Sequence, residues 1–340
     1  MLARLQALSE KDLHSQITFI EGSLCAHVAH AGRHAPGSNT VEEAGRDANL
    51  DAMFLPTAEM LEEQALAIAE QIVEHTICAP NGSATWIGLQ NLPSAGRYQL
   101  QPLGYDLYSG TSGVALFLAA MDYVTKGKGS SCYRDLALAA TQPLCQALRY
   151  RARQMVRVIG IGGASGLGSV VYALVCISRF LDKPSLLEEA QLAALLITEE
   201  QIVSDRALDI IAGSAGAILG LLALYDASPS QAILERAIAC GQHLLRVRTR
   251  SASGERSWQT IGGRLLTGFS HGAAGIIYAL LRLFAATRDA AYREAACEAL
   301  AYENSLFVTM QPSSGLSSPS TIALTVSVAA RLSAACLVKG

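Results

Sequence analysis

The chain has 340 residues, of which 51% are hydrophobic and 16% charged, with a formal net charge of −3. This length allows one large domain or two smaller ones, and the composition is too apolar for a disordered protein. With 26 basic against 29 acidic residues, the chain has no excess of positive charge to neutralise phosphates, so we predict no nucleic-acid partner.

The start of the chain and its longest apolar run both bear on location. The opening MLARLQALSEKDLHSQ carries charges where a signal peptide needs an apolar stretch. The longest uncharged apolar run, residues 210–225, is shorter than the ~18 to 20 residues that a membrane span needs. We therefore predict a cytoplasmic protein with reduced cysteines, some of them small core residues, such as Cys176 and Cys240.

The first part of the chain divides at Pro56. Residues 1–55 are predicted to form a separate, partly helical segment with a loose middle, HAGRHAPGSN. After Pro56, four apolar residues recur at helical spacing and predict an amphipathic helix: Leu61, Ala65, Ile68 and Ile72.

One pattern then occurs four times along the chain. Each copy is a Gly-x-x-Gly turn followed by an apolar run: YSGTSGVALFLAAMDY from Tyr108, IGGASGLGSVVYALVCI from Ile161, IAGSAGAILGLLALY from Ile211 and FSHGAAGIIYALLRLF from Phe269. The first glycines, at positions 110, 163, 213 and 272, are 53, 50 and 59 residues apart. Such spacings leave room for two helices and two loops in each unit.

Amphipathic stretches lie between the apolar runs. One covers residues 232–245, and another repeats apolar positions from Leu187 to Ile197, with Pro184 placed to begin its helix. Each unit is therefore predicted to be a helical hairpin, with one helix apolar all round and one helix with a polar face.

Helices that are apolar all round must be covered on every side. A closed ring achieves this, so we predict an all-α fold of the α/α toroid type, with the glycine-led helices as the inner barrel and the amphipathic helices as the outer one. The alternative is an open superhelix of helical hairpins. In the closed ring the Gly-x-x-Gly turns all lie at one end, and their glycines permit either a positive φ or a close approach of backbones.

Two side chains in these turns are candidates for chemistry. His271 lies within the fourth turn, either as an acid or base or as a capping or core histidine. Asp209 precedes the third turn and is placed to orient or charge an imidazole across the mouth of the ring, although an aspartate there also suits a helix N-cap. Asp205 and Asp209 are predicted to share a helix face, which is not the opposed pair of a glycosidase.

Two further motifs are weaker. GIGGASGLGS resembles a dinucleotide loop, but no strand precedes it and Ser165 holds the place of a required glycine. Trp86 and Trp258 are candidates for a peptide groove, with core packing as the favoured role.

The four motifs, in this order, resemble the LanC-like cyclase domain of class II (LanM-type) lanthipeptide synthetases. The resemblance covers residues 56–308, and RLQALSEKDLHSQITFIEGSL within residues 1–55 is similar to the end of the dehydratase domain that precedes this cyclase. It implies an α/α toroid that adds cysteine thiols of a precursor peptide to dehydroalanine or dehydrobutyrine. His271 matches the active-site histidine of that family, and Asp209 matches the acidic residue that supports catalysis there.

The resemblance also implies partners and a cofactor. The partners are a precursor peptide with leader and core, a complementing synthetase chain or a second copy of this chain, and membrane-associated export machinery. The cofactor is zinc, which suits the chemistry because metal coordination deprotonates a thiol. The family holds zinc with two cysteines and a histidine, but the Trp-Cys-His-Gly type of motif does not occur in these 340 residues, so the ligands are not identifiable.

The tail, residues 309–340, lacks a Gly-x-x-Gly turn and does not resemble the family. We therefore expect a toroid that is incomplete at its C-terminal end, with a tendency to low stability or to association. The alternative function is a zinc-free, inactive remnant that at most binds precursor peptide.

Overall fold

The computed structural model describes residues 9–33, 56–92, 97–125, 132–252 and 254–306. Most of these residues are helical. The helices are α1 (Glu10–Arg33), α2 (Ala58–Glu74), α3 (Thr111–Thr125), α4 (Cys132–Tyr150), α5 (Ala152–Val158), α6 (Leu167–Phe180), α7 (Ser185–Leu195), α8 (Glu199–Ser204), α9 (Ser214–Ala227), α10 (Gln231–Arg246), α11 (Ala273–Thr287) and α12 (Ala290–Ser305).

Short antiparallel hairpins occupy three of the connections. They pair β1 (Ile77–Cys78) with β2 (Ala84–Thr85), β3 (Ile87–Leu92) with β4 (Arg97–Pro102), and β5 (Thr249–Arg250) with β6 (Arg256–Ser257). Helix α1 packs against β4. A 3-10 turn, Ile261–Gly263, precedes α11.

The helices form two layers, as predicted for an α/α toroid. The glycine-led helices follow one another, with α3 against α6, α6 against α9, and α9 against α11. Each of them also packs against the amphipathic helix that follows it in the chain, namely α4, α7, α10 or α12. The hydrophobic core lies between these layers, and nine residues of α9 are buried.

The predicted amphipathic helices are confirmed. Helix α10 covers the predicted stretch 232–245, and α7 begins directly after its N-cap residue Pro184. Helix α2 follows Pro56, and Thr57 caps it by accepting a hydrogen bond from the backbone N–H of Met60. This bond satisfies one of the four donors that a helix N-terminus leaves unpaired.

The glycine-led helices share one way of satisfying their first N–H groups. The first-turn residue donates to a carbonyl seven residues earlier: Leu167 to Gly160, Ala215 to Leu208, and Ala273 to Leu266. The loop before each helix thus folds back over its N-terminus, which fixes the position of the Gly-x-x-Gly turn.

The structure corrects the register of the second unit. The N-cap of α6 is Gly166, three residues after the Gly163 that the motif suggested, whereas Gly213 and Gly272 cap α9 and α11 as predicted. These three cap glycines have negative φ values. Glycine is nevertheless required at these three positions, because a Cβ would collide with backbone atoms. At Gly213, for example, the Cβ would meet the backbone of Leu208.

Both tryptophans are core residues. Trp86 donates from Nε1 to the carbonyl of Ile72 near the end of α2, and Trp258 donates to that of Leu244 near the end of α10, each at 2.8 Å. Each indole follows a short hairpin and covers the C-terminus of an outer helix. The peptide-groove alternative is wrong, because both side chains are buried.

The two cysteines predicted to be core residues differ. Cys240 is fully buried, and desolvation raises the pKa of its thiol. Cys176 is only partly buried, although burial also raises the pKa of its thiol.

Several predictions fall on residues outside the described part of the chain. These are the tail 309–340, the last two residues of the predicted domain 56–308, and all of 1–55 except residues 9–33. Among the residues described, no helix is both long and apolar enough to cross a bilayer.

Candidate functional site

The Gly-x-x-Gly turns meet at one end of the helices, as the repeats predicted. The Tyr108 N–H donates to the Ala164 carbonyl, and the Ala164 N–H donates to the Ile211 carbonyl, both at 3.0 Å. The fourth turn joins them because Gly275 lies so close to Ile210 that a Cβ would collide with its side chain. Hydrogen bonds and close backbone contacts therefore hold the turns in fixed relative positions.

The third turn is held together by Asp205. Its Oδ1 accepts from the N–H groups of Ala207 and Leu208 at 2.9 and 3.3 Å, and its Oδ2 accepts from the N–H and hydroxyl of Ser214 at 2.7 and 2.6 Å. This carboxylate therefore binds the first N–H of α9 and closes the loop before that helix. The expectation that Asp205 and Asp209 share a helix face is wrong, because both lie in the loop between α8 and α9.

A buried histidine supports Asp205 from the outer layer. His243 of α10 is 2% exposed, and its Nε2 lies 3.1 Å from the Asp205 carbonyl oxygen. Because a carbonyl can only accept, this nitrogen is the donor. The contact fixes the start of the third turn against α10, and nothing in the sequence pattern indicated it.

Asp209 is buried at the centre of the same turn. It is 1% exposed, and its Oδ1 accepts a hydrogen bond of 2.8 Å from the N–H of Ala212. The preceding Leu208 has a φ of 63°, which turns the chain sharply before the carboxylate. Asp209 is thus not the N-cap of α9, which is Gly213; its other oxygen faces the fourth turn.

The structure brings His271 and Asp209 together. His271 Nδ1 lies 2.6 Å from Asp209 Oδ2, and the His271 side chain is 40% exposed while that of Asp209 is 2% exposed. A carboxylate accepts, so Nδ1 carries the hydrogen and a neutral imidazole presents its lone pair at Nε2. Within the described residues, Nε2 has no hydrogen-bond partner.

Residues from two other segments hold the fourth turn. The Thr260 hydroxyl donates to the His271 carbonyl at 2.6 Å, and Glu303 of α12 accepts from the N–H groups of Gly268 and Ala274 at 3.1 and 2.8 Å. Burial raises the pKa of Glu303, against the lowering effect of these two bonds. Sequence reasoning missed Glu303, because a glutamate in an amphipathic helix is expected to be part of the polar face.

This arrangement can move a proton at an exposed imidazole. Asp209 fixes the tautomer and ring orientation of His271, and as a buried carboxylate it favours the protonated imidazolium when a proton arrives at Nε2. The exposed edge of the ring is where a substrate can reach Nε2. Asp209 is not a helix N-cap, since Gly213 holds that position, and His271 is not a core residue, since its side chain is 40% exposed.

The described residues do not form a metal site. No three histidine, cysteine, aspartate or glutamate side chains among them are grouped so that they could hold a metal ion. Cys240 is fully buried in the core. Burial of Cys145 desolvates its thiol and raises the pKa of that thiol to about 12. The zinc ligand set expected from the resemblance is therefore not formed by this part of the chain.

The chain has no match among curated proteins. An inactive variant of the α-1,6-mannanase GH76A of Salegentibacter sp. HEL1_6, in complex with α-1,6-mannotriose, is 14% identical over 80% of this chain and 78% of that chain, with a TM-score of 0.40. A family 76 glycoside hydrolase from a bovine Bacteroides thetaiotaomicron strain is 11% identical over 72% of this chain and 57% of that chain, also with a TM-score of 0.40.

A family model gives the assignment. The model described as lanthionine synthetase C-like protein matches residues 101–313, which is more than half of the chain and includes both His271 and Asp209. The chain therefore belongs to the lanthionine synthetase C-like protein family.

Proposed function

We propose that this chain is the cyclase domain of a class II (LanM-type) lanthionine synthetase, with His271 as its acid-base residue and Asp209 as the residue that orients it. The reaction adds a cysteine thiol of a dehydrated precursor peptide to dehydroalanine or dehydrobutyrine. The observation that carries this proposal is the 2.6 Å hydrogen bond between a buried carboxylate and a half-exposed imidazole at the end where the turns meet.

The proton balance of this reaction suits one imidazole. The thiol loses its proton, its sulfur forms a bond to the β-carbon of the dehydroamino acid, and the π electrons move to the α-carbon and its carbonyl as an enolate. A proton then adds to the α-carbon. His271 Nε2 can accept the thiol proton and deliver a proton to the enolate, and Asp209 stabilises the imidazolium between the two steps.

Zinc remains part of the proposal only as a family expectation. When bound, zinc would supply thiol activation by favouring the thiolate. The described residues do not fit it, since they group no set of three ligands. We therefore assign to this chain only the proton steps at His271.

The remaining features of the proposal follow from the resemblance. The partner is a precursor peptide with a leader and a core, and further partners are a second copy or a complementing synthetase chain and the export machinery. The domain division at residues 55 and 308, the cytoplasmic location and an incomplete C-terminal end belong to the same proposal.

Loss of free thiol from a dehydrated peptide tests the function. A synthetic peptide with one cysteine and one dehydroalanine is incubated with the purified chain, with and without added zinc. The product is then treated with iodoacetamide, because cyclisation itself leaves the mass unchanged. We expect unalkylated peptide with the wild-type chain and a rate about 1,000-fold lower with His271→Ala.

His75→Ala is the matched control. His75 is an exposed histidine near the end of α2, and its removal leaves the site intact. Equal rates in both variants would exclude His271 as the acid-base residue. Peptide binding without any loss of thiol, at every zinc concentration, would instead identify an inactive remnant that binds precursor peptide.

A further inference from the structure

The contact between His271 and Asp209 requires that two turns keep a constant separation. On one side, Asp209 is fixed by its burial and by the bond of its Oδ1 to the Ala212 N–H. On the other side, the His271 side chain is 40% exposed, so packing does not hold the exposed edge of its ring. The position of the imidazole therefore depends on how firmly the backbone of the fourth turn is held.

One side chain contacts the backbone of His271 itself. The Thr260 hydroxyl donates to the His271 carbonyl at 2.6 Å, and Thr260 is 6% exposed. The carbonyl carbon is bonded to the Cα that carries the imidazole, so this bond fixes the peptide plane from which the side chain departs. Glu303 acts from farther away, because it accepts from Gly268 and Ala274, each three residues from His271.

The third turn has no equivalent of this bond. Ala212 is the residue directly before its N-cap glycine, and among the described residues none donates a hydrogen bond to the Ala212 carbonyl. In the fourth turn the Gly275 N–H of α11 donates to the Gly268 carbonyl at 3.4 Å, which leaves the His271 carbonyl to Thr260. The backbone design of the repeat thus does not require the Thr260 bond, which is present at the turn that carries the imidazole.

Thr260 belongs to a short loop, residues 259–265, which we call the Thr260 loop. The Thr260 N–H closes the loop by donating to the Arg264 carbonyl at 3.0 Å. Gly262 and Gly263, with φ values of 63° and 69°, allow the tight turn at its tip. The loop therefore defines its own shape and presents the threonine hydroxyl from a fixed position.

Both ends of the Thr260 loop are anchored on the outer layer of helices. At one end the buried Trp258 indole donates to the Leu244 carbonyl of α10 at 2.8 Å. At the other end the Tyr302 hydroxyl of α12 donates to the Leu265 carbonyl at 3.1 Å. The loop thus connects two outer helices to the inner turn that carries the imidazole.

We propose that Thr260 is a positioning residue for the reaction: through the His271 carbonyl it holds the imidazole on Asp209, so that Nε2 keeps one orientation towards the substrate. Thr260 itself does not bind substrate, because its side chain is buried and its hydroxyl is engaged. Its loss should therefore lower kcat and leave KM unchanged. The kinetic part of this inference rests on the proposed function, whereas the orientation of the imidazole does not.

Three variants isolate the effect of the hydroxyl. Thr260→Val removes it and keeps the shape of the side chain, and Thr260→Ser retains it without the methyl group. Thr141→Val is the matched control, since Thr141 of α4 is 4% exposed and its hydroxyl donates to the Leu138 carbonyl at 2.8 Å. Both valine variants lose a buried bond to a backbone carbonyl, but α4 belongs to the first unit and not to the fourth turn.

The orientation of the ring is measured by NMR on the full chain labelled with ¹⁵N-histidine. A short hydrogen bond from Nδ1 to a carboxylate gives the Nδ1 proton a far-downfield signal, and His271→Ala assigns it. We expect this signal to move upfield in Thr260→Val and to keep its position in Thr260→Ser and Thr141→Val. An unchanged signal in Thr260→Val, or an equal change in either of the other two variants, would overturn the proposal.

The cyclisation assay with the dehydrated peptide gives the second measurement. We expect kcat to fall about tenfold in Thr260→Val with KM unchanged, while Thr260→Ser and Thr141→Val stay within about twofold of wild type. A change confined to KM, or an equal fall of kcat in Thr141→Val, would contradict the positioning role. If the wild-type chain cyclises no peptide, the proposed function is wrong, and the Nδ1 signal alone decides whether Thr260 positions His271.

Tyr302→Phe tests the same connection if Thr260→Val does not fold. This variant removes the bond to the Leu265 carbonyl and leaves Thr260 in place. We expect the Nδ1 signal of His271 to move in the same direction by a smaller amount, with kcat about threefold lower. A signal identical to that of the wild-type chain would show that the Thr260 loop does not position the imidazole.

Discussion

The third and fourth turns share one backbone design but are held in different ways. In both, the first-turn N–H of the following helix bonds to a carbonyl seven residues earlier. Asp205 then closes the third turn from within its own loop, whereas Glu303 closes the fourth turn from the distant helix α12. The third turn buries its carboxylate Asp209, and the fourth leaves His271 half exposed.

This difference suits a division of labour between the two turns. A self-contained, buried turn keeps a carboxylate in one position, and a turn tied to an outer helix presents an imidazole to the substrate while that carboxylate orients it. The repeat thus supplies one scaffold, and the residues that close each turn determine what it exposes.

The close contact between the two turns can be broken at Gly275. In Gly275→Ala, the new Cβ would collide with the Phe269 carbonyl and with the Ile210 side chain. We expect the free energy of unfolding to fall by about 3 kcal/mol, because backbone must shift to make room. Chemical denaturation measures this. Gly104→Ala, where a Cβ meets only ordinary contact, should change stability little, and an equal loss there would contradict the close-approach argument.

Removing the charge of Asp209 separates orientation from folding. The Asp209→Asn variant keeps an acceptor for the Ala212 N–H but does not stabilise an imidazolium at His271. We expect the cyclisation rate to fall about 100-fold with little change in thermal stability. Asp226→Asn is the control, since Asp226 is an exposed residue of α9 with only a long contact to Arg282. A rate unchanged from wild type would show that Asp209 acts only as a loop residue.

Removing the charge of Asp205 should damage folding. In Asp205→Asn one of the two carboxylate oxygens becomes an NH₂ group, so either the N–H groups of Ala207 and Leu208 or the N–H of Ser214 lose their acceptor. We expect a loss of about 2 kcal/mol in the free energy of unfolding, measured by denaturant titration. If Asp205→Asn were as stable as wild type, the third turn would not depend on this carboxylate.

The smallest expected effect is a pH dependence at the fourth turn. Burial raises the pKa of Glu303 above its ordinary value near 4.5. The protonated side chain therefore contributes stability that is fully present below pH 4.5 and is lost as the pH rises through the raised pKa. Glu303→Gln does not titrate and retains an acceptor oxygen. From about pH 4 to pH 7, we expect the stability of Glu303→Gln relative to wild type to rise by roughly 0.5 kcal/mol.

Thermal unfolding of both proteins across this pH range checks the expectation. Glu294→Gln, on the exposed side of α12, is the matched control and should show a constant difference from wild type. A difference that falls with pH for Glu303→Gln would reverse the sign and show that the two N–H bonds outweigh burial.

Much of the architecture could be predicted because it depends on periodicity. The apolar runs after each Gly-x-x-Gly turn identified α3, α6, α9 and α11, and the amphipathic spacing located α7 and α10. Periodicity did not fix the register of the second unit, since Gly163 and Gly166 both fit the motif. Gly166 is the N-cap because the preceding loop folds back over the start of α6, where a Cβ at this position would meet the backbone of residues 160–162.

The sequence by itself determined a helical repeat, the convergence of its turns and the two residue types, His271 and Asp209, that face each other there. The tertiary structure decided that Asp205 holds the third turn together and that Glu303 and Thr260 hold the turn that carries His271. The physical reason is that hydrophobic periodicity is local to each helix, whereas hydrogen bonds between distant segments depend on how the helices pack.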